Sequence, residues 1–364
     1  MKVSVLTSVH RWNDPRIFER QAQSLDRHGY SVTLLAPGAP NDLSTSVKLS
    51  GPPLPKNRLS RMTTTSFRLF RLALKDTDVV HFHDPELLIF MLAVKPFRRK
   101  LLWIYDVHED YAEQISEKSW LPRFLRRPAS KVFSRLETFA SNFCDLIVTA
   151  TPQISQRFDP AKVALVQNFP KSETFPSLSQ ETSEDHFRVV HLGLLNNRRG
   201  AATIAQALRM LPVESKIVFE QMGPVESDQF LNDANARIRI HKPAKQSEAL
   251  KLLASADAAA LLFYPGPNHD FSQPNKLFEY LAMGLPIIAS EIPHWKNLIS
   301  ACSGNAQYVD PHDPQQVAQA LTDLEKNSKR TERLARSSAA RTTYGWESEE
   351  QSLLDGYMTL KRRL

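Results

Sequence analysis

The strongest constraint on the fold is an alternation that runs twice along the chain. A short, nearly continuous apolar run is followed by a segment of helical character, and then by another run. The first series is Val3–Thr7, Tyr30–Leu35, Val79–Phe82, Leu101–Tyr105, Leu146–Ala150 and Val163–Val166, with a helix expected over Arg16–His28 and ended by Gly29. The second is Arg188–Leu192, Ile217–Glu220, Ala236–Ile240, Ala258–Leu262 and Pro286–Ser290, with helices expected over 201–211, 247–255 and 274–283. Runs this short, apolar on both faces, suit parallel strands covered by helices, and parallel neighbours need helical crossovers. The expected class is therefore α/β: two doubly wound, Rossmann-like domains facing across a cleft, with ligands beyond the carboxyl ends of the strands. A length of 364 residues is comfortable for two such domains. The polar stretch 170–185 has no periodicity, which places domains at 1–170 and 186–345, a linker at 171–185 and a closing helical segment at 346–364.

Composition narrows the function classes. With 42% hydrophobic and 23% charged residues and no apolar run long enough to span a bilayer, the chain reads as a soluble globular protein. The start, Met1 to Thr7, reads as a first strand, without the apolar core of a signal peptide. Cys144 and Cys302 suggest no disulfide framework, which fits a cytoplasmic setting. No G-x-G-x-x-G follows either first strand, which argues against a nicotinamide or flavin enzyme, and no Walker A sequence is present.

The net charge of +7 is uneven: residues 1–170 hold 24 Lys and Arg against 16 Asp and Glu. The basic residues interleave with large apolar ones at Phe67–Arg71, Phe97–Lys100 and Trp120–Arg127. Two readings stay open, solvated helix faces or peripheral attachment to an anionic membrane surface, where each basic residue contributes roughly 1 kcal/mol. Nucleic acid is not an expected partner, since no recognisable module for it accompanies these patches.

The most informative motif is Pro274-Asn275-Lys276-Leu277-Phe278-Glu279-Tyr280. Proline suits a first helical turn, with Ser272 or Gln273 as the expected cap. The loop before it runs off the strand Ala258–Leu262, so the helix N-terminus lies at a carboxyl sheet edge and offers amides to an anion. Lys276 adds charge there and Glu279 lies one turn on. Amides and lysine at phosphates with a carboxylate at ribose hydroxyls would suit a nucleoside diphosphate; an exposed Lys276–Glu279 surface pair is the plainer alternative.

This segment resembles the nucleotide-binding signature of the GT-B glycosyltransferases of the retaining family 4 (glycosyl transferases group 1), in a Pro-Asn-Lys-x-x-Glu-Tyr branch. The resemblance covers nearly the whole chain. It implies that Glu279 contacts the donor ribose, while Phe271 stands where a first glutamate is common, leaving that contact absent or supplied otherwise, as by Asp270. The segment His191–Gly200 is similar to the family's diphosphate loop. Arg199 takes the lysine position, and Leu194 stands where arginine is common, so Arg199 or Arg198 would hold phosphate with Lys276. Ser272, Asn275 and Gly193 join the donor site. The segment Tyr105–Asp110 looks like the loop that sets a histidine beside the transferred sugar, making His108 the expected reaction centre and Glu109 an acceptor contact. Asp14, Arg16, His83 and Asp84, in segments resembling this branch, belong to the acceptor side or to loop architecture. Tyr344-Gly345-Trp346-Glu347 and the helix after it look like a tail that packs back on the first domain.

What the resemblance implies is a retaining transferase that moves a sugar from a nucleoside-diphosphate sugar to a saccharide or lipid-linked acceptor in polysaccharide or glycan synthesis. No metal or other cofactor is expected. Same-face attack is expected, with Arg199, Lys276 and the helix terminus stabilising the leaving diphosphate. Two alternatives compete: a sugar-nucleotide 2-epimerase of the same architecture, and a metal-dependent hydrolase using His81, His83 and Asp84 with His108. Asp76-Thr77-Asp78 precedes its strand, at the edge away from the cleft, and reads as a turn.

Overall fold

The computed structural model describes residues 1–40, 43, 45–117, 121–178, 185–232, 236–327 and 330–362. The chain divides into two compact units, Met1–Asn168 with Trp346–Leu364, and Phe169–Gly345.

In the first unit seven strands, β1 (Lys2–Leu6), β2 (Ser31–Leu35), β3 (Lys48–Ser50), β4 (Val79–Phe82), β5 (Leu102–Val107), β6 (Leu146–Thr149) and β7 (Val163–Leu165), form one parallel sheet. Their order is β3-β2-β1-β4-β5-β6-β7. The chain builds outward from β1 in one direction and then from β4 in the other. The crevice beyond β1 and β4 is therefore the place where a doubly wound sheet leaves room for a ligand. Val79 packs into the core on one face and Val80 into the core on the other, which explains why such strands read as continuous apolar runs. Asp76, expected in a turn at the far edge, pairs with Lys2 at the start of β1.

The expected helix Arg16–His28 begins differently. Residues Pro15–Ala22 are π-helical, and only Gln23–Arg27 (α1) is an α-helix. The wider turn places Arg16 and Gln21, five residues apart, on the same carboxylate of Asp106. A regular α-helix would turn them about 140° apart. Among the helices that cover this sheet are α2 (Leu87–Val94) and α3 (Arg123–Ser141).

The second unit repeats the order with β8 (Phe187–Leu192), β10 (Ile217–Met222), β12 (Ile238–His241), β13 (Ala258–Leu261), β14 (Ile287–Ser290) and β15 (Ala306–Val309), arranged β12-β10-β8-β13-β14-β15. A two-stranded pair, β9 (Leu195–Asn196) and β11 (Val225–Glu226), is separate. Its switch point lies beyond β8 and β13. Of its helices, α4 (Ala201–Met210) and α5 (Asn275–Ala282) bear on the site. Phe175, within the stretch expected to be linker, is buried in this unit's core; residues 179–184 of that stretch, and Trp120 of the basic patches, lie outside the described residues.

The closing helix α6 (Trp346–Lys361) belongs to the first unit, where Trp346, Leu353 and Tyr357 are buried. Trp346 Nε1 donates to Ser24 Oγ at 3.1 Å, and the Tyr357 hydroxyl lies 2.9 Å from His81 Nδ1. Among the described residues no helix is long and apolar enough to cross a membrane.

Candidate functional site

Polar side chains gather at the switch point of each sheet. In the first unit the centre is Asp106, fully buried near the end of β5. Arg16 grips it with two hydrogen bonds, Nε to Oδ1 at 3.1 Å and Nη2 to Oδ2 at 2.9 Å, and Gln21 adds a third at 2.6 Å. Burial opposes the charge on Asp106, but Arg16, His83, His108 and His81 outweigh it and hold the carboxyl well below its usual range. Arg16 also donates to the Val166 carbonyl and to Asn168 Oδ1. Its guanidinium is committed to this framework.

His108 stands on this base. Its Nδ1 is 3.2 Å from Asp106 Oδ1 and its Nε2 is 2.9 Å from His10 Nε2. With Nδ1–H donated to the carboxylate, the Nε2 lone pair faces His10, which must supply the proton between them. His10 in turn faces Asp14 Oδ2 at 3.6 Å and Asp84 Oδ1 at 3.7 Å. Burial works against a charge on His10, yet these carboxylates win and raise its pKa, while Asp14 falls to about 2. Asp14 also caps the π-helix by accepting from the amides of Arg16 and Ile17. Asp84 is fully buried and accepts from Thr7 Oγ1 and the Ser8 amide, so it ties β1 to β4. Glu109 accepts from Gln114 Nε2 at 2.8 Å. His108 and His10 keep 9% and 20% of their side chains exposed, whereas His81, His83 and Asp84 are sealed. The two outer histidines are the ones a ligand can reach.

His81 and His83 come together with Asp106, their nearest ligand atoms within 4.8 Å of one another. Asp84 and His108, expected in that set, lie outside it. The Arg16 fork already sits on Asp106, so a positive charge stands where a cation would need the carboxylate. Burial takes the pKa of His83 down to about 4 and keeps it neutral. Among the described residues His81 Nε2 and both ring nitrogens of His83 are buried without a hydrogen-bond partner, so the cluster offers imidazole nitrogens while its carboxylate is taken by Arg16.

The second unit holds a different arrangement. Lys276, in the first turn of α5, is partly buried, and its Nζ lies 3.0 Å from His191 Nε2. His191 Nδ1 is 2.7 Å from Gln221 Oε1, and Gln221 Nε2 donates to the Gly193 carbonyl at 2.7 Å. The bonds run one way: lysine to imidazole, imidazole to amide, amide to carbonyl. That direction requires a neutral His191 with its proton on Nδ1, in keeping with a pKa that burial and Lys276 hold well below the usual range. Burial, and Arg199 after it, bring Lys276 down to about 7, with Glu279 pulling the other way.

Arg199 follows β9; its Nη1 donates to the Leu194 carbonyl at 3.0 Å. Its guanidinium carbon and Lys276 Nζ lie 5.1 and 5.4 Å from the same Phe263 ring. Two cations therefore converge on one aromatic ring just beyond β13. Gly193, at the end of β8, has φ +81° and presents no side chain to Lys276. Asn275 is exposed and Glu279 half-buried, with Gln246 Nε2 3.4 Å from its Oε1. The Arg198 carbonyl accepts from the Tyr264 amide.

The expected cap is not there. Pro274 holds the N-cap position of α5 without a side-chain bond, and Ser272 Oγ donates to the His269 carbonyl instead. Proline fixes the turn before α5 while Ser272 closes the preceding loop, so among the described residues no side chain caps this helix by a hydrogen bond. Asp270 accepts from the Gly266 amide within that loop, and Phe271 is 59% exposed.

Sequence reasoning passed over Asp106, His10, His191, Gln221 and Phe263. Asp106 and His191 lay inside motifs already singled out, flanked by louder residues. His10, Gln221 and Phe263 carried no local signal, because His108, His191 and Arg199, which meet them, lie far along the chain.

Residues 16–168 match Glycosyltransferase Family 4 and residues 186–327 match Glycosyl transferases group 1. Among curated proteins the chain is similar to a D-inositol 3-phosphate glycosyltransferase of Xylanimonas cellulosilytica, 24% identical over 184 residues, which is 48% of this chain and 43% of that relative. The match thus spans less than half of the relative's length. Among solved structures, sucrose-phosphate synthase of Thermosynechococcus elongatus aligns over the whole of both chains at 13% identity and a TM-score of 0.75. Anabaena HepE in complex with UDP aligns over 99% of this chain and all of its own at 12% identity and a TM-score of 0.73. The likeness shows a GT-B fold.

Proposed function

This chain belongs to the group 1 glycosyltransferases of family 4, and we propose that it moves a sugar from a nucleoside-diphosphate sugar to an acceptor hydroxyl with retention of anomeric configuration. The observation that carries the reading is the convergence of Lys276 and Arg199 on Phe263 at the switch point of the second sheet, beside the uncapped N-terminus of α5. Two cations and a helix terminus in a partly dry site match the charge that builds on a departing diphosphate. Glu279, on the next turn of the same helix, is positioned for ribose hydroxyls.

The proposed reaction centre is the His108–His10 pair. The His108 imidazole, held by Asp106, orients the donor sugar by hydrogen bonding, and the buried carboxylate fixes the direction of the ring. Among the described residues Asp14, Asp84, Asp106 and Glu109 already accept hydrogen bonds within the protein, which supports same-face attack with the leaving phosphate accepting the acceptor's proton. The proposed acceptor is a saccharide or lipid-linked saccharide, in cell-surface polysaccharide or glycan synthesis at the cytoplasmic face of a membrane. HepE was solved with UDP and with UDP-glucose, which makes uridine nucleotides the first donors to test.

The test is a thermal-shift screen of nucleotide sugars followed by product analysis of the stabilising one. Transfer to an acceptor with retained configuration is the expected result. Conversion of the nucleotide sugar without any acceptor would make the protein an epimerase, and inverted product would remove the same-face mechanism.

A further inference from the structure

We infer that the outer face of α3, with the turn after α2, is a docking surface for an anionic lipid bilayer. The inference deepens the membrane part of the proposed function and does not depend on which sugar is moved. Leu125, Val132, Leu136 and Phe139 recur along α3 at intervals of seven, four and three residues, and Phe143 follows just beyond its end, so all five lie on one stripe. Buried residues such as Glu137 and Ala140 face the protein from the adjoining side of the helix. The stripe itself is uncovered: Val132 is 56% exposed, Leu136 61% and Phe139 59%.

A column of cations runs beside it. Arg127, Lys131 and Arg135 succeed one another at four-residue steps, and all are exposed. The only acid of α3 is Glu137, which is buried against the Tyr105 hydroxyl and Arg157. The face is continuous with the turn after α2: Leu92, Lys95, Pro96 and Arg99 join Phe139 and Phe143 around an apolar groove of about 550 Å³. Phe97 in that turn is 85% exposed, and Arg98 and Lys100 flank it.

An apolar stripe bordered mainly by cations, with Asp145 already paired to Lys95, selects its partner. A second copy of this chain would set cation against cation. A bilayer with anionic headgroups takes both features together, the aromatic and branched side chains at the acyl boundary and the cations at the phosphates. This is also the face that turns the chain's charge asymmetry to use, since the excess of Lys and Arg lies in its first 170 residues.

The experiment is flotation of the full chain with phosphatidylcholine vesicles, with and without phosphatidylglycerol, at low and high salt. Binding is expected only with phosphatidylglycerol and should weaken with salt. Reversing Arg127, Lys131 and Arg135 to Glu should lower partitioning by about 100-fold or more. Leu136→Ser with Phe139→Ser should lower it while leaving the charge unchanged. Reversing the exposed Lys242, Lys245 and Lys251 of the second unit instead, an equal change in net charge, should cost little. Nucleotide-sugar stabilisation, measured on every variant, reports folding and keeps this inference separable from the transferase reading. Failure of the parent chain to float with anionic vesicles, equal loss in the second-unit control, or a dimer broken by the Ser variants without lipid binding would each overturn it.

Discussion

Lys276 Nζ lies 3.0 Å from His191 Nε2, so that a lysine donates to a buried imidazole instead of to a carboxylate. The contact holds the ammonium in place without neutralising it. The charge is left for a ligand to satisfy, and burial with Arg199 nearby sets the lysine's pKa at about 7.

The first expectation concerns pH. Below about 7 Lys276 is already charged; above it, binding a diphosphate must draw a proton from solvent. UDP-glucose affinity should therefore fall as pH rises past about 7, by as much as about tenfold per unit. Arginine stays protonated throughout, so Lys276→Arg should flatten the profile. Calorimetry in buffers of different ionisation enthalpy counts the proton taken up. A flat profile for the parent protein would rule this out.

The backbone at Gly193 supports the same site. Its φ of +81° costs a side-chain-bearing residue about 1–2 kcal/mol, and an added Cβ would lie 3.6 Å from Lys276 Nζ, in the space proposed for phosphate. Gly193→Ala should raise the donor dissociation constant about tenfold or more and lower the melting temperature slightly. Unchanged affinity would show that the phosphates sit elsewhere.

Asp106 is a matter of stability as much as of chemistry. Asp106→Asn leaves the buried Arg16 guanidinium without its counter-charge, and should destabilise the first unit by about 3–5 kcal/mol. Arg16→Met in the same chain should recover part of the loss, because the orphaned charge goes with it. Chemical unfolding of the single and double variants measures the coupling; simple additivity would deny the pair its special role.

The histidine pair should separate rate from binding. His108→Ala is expected to lower kcat by about 100-fold or more with donor affinity nearly unchanged. His10→Gln, which keeps an N–H toward His108 Nε2, should retain more activity than His10→Ala. Steady-state kinetics beside donor titration tests both. Loss of donor affinity without loss of kcat would move His108 out of the reaction centre.

The sequence by itself determined the strands and their parallel pairing. Buried parallel strands are apolar on both faces, and this pattern is local; it located β4 to the residue and most other strands within two. It also singled out Lys276 and Glu279, because a proline-started helix after an apolar strand carries its own signature; Arg199 came from the resemblance of residues 191–200 to the family's diphosphate loop. It did not show β3, β9, β11 or β15, which are short or only partly buried.

The tertiary structure alone decided the partners. Widening Pro15–Ala22 into a π-helix set Arg16 and Gln21 on one carboxylate, where a regular helix would have splayed them. Strand pairing brought Gln221 beside His191, and the switch-point crevice brought His10 to His108 across 98 residues of chain. Residue type and local periodicity say which groups carry charge and which segments are strands. Which charge meets which depends on sheet order, and sheet order is a property of the whole chain.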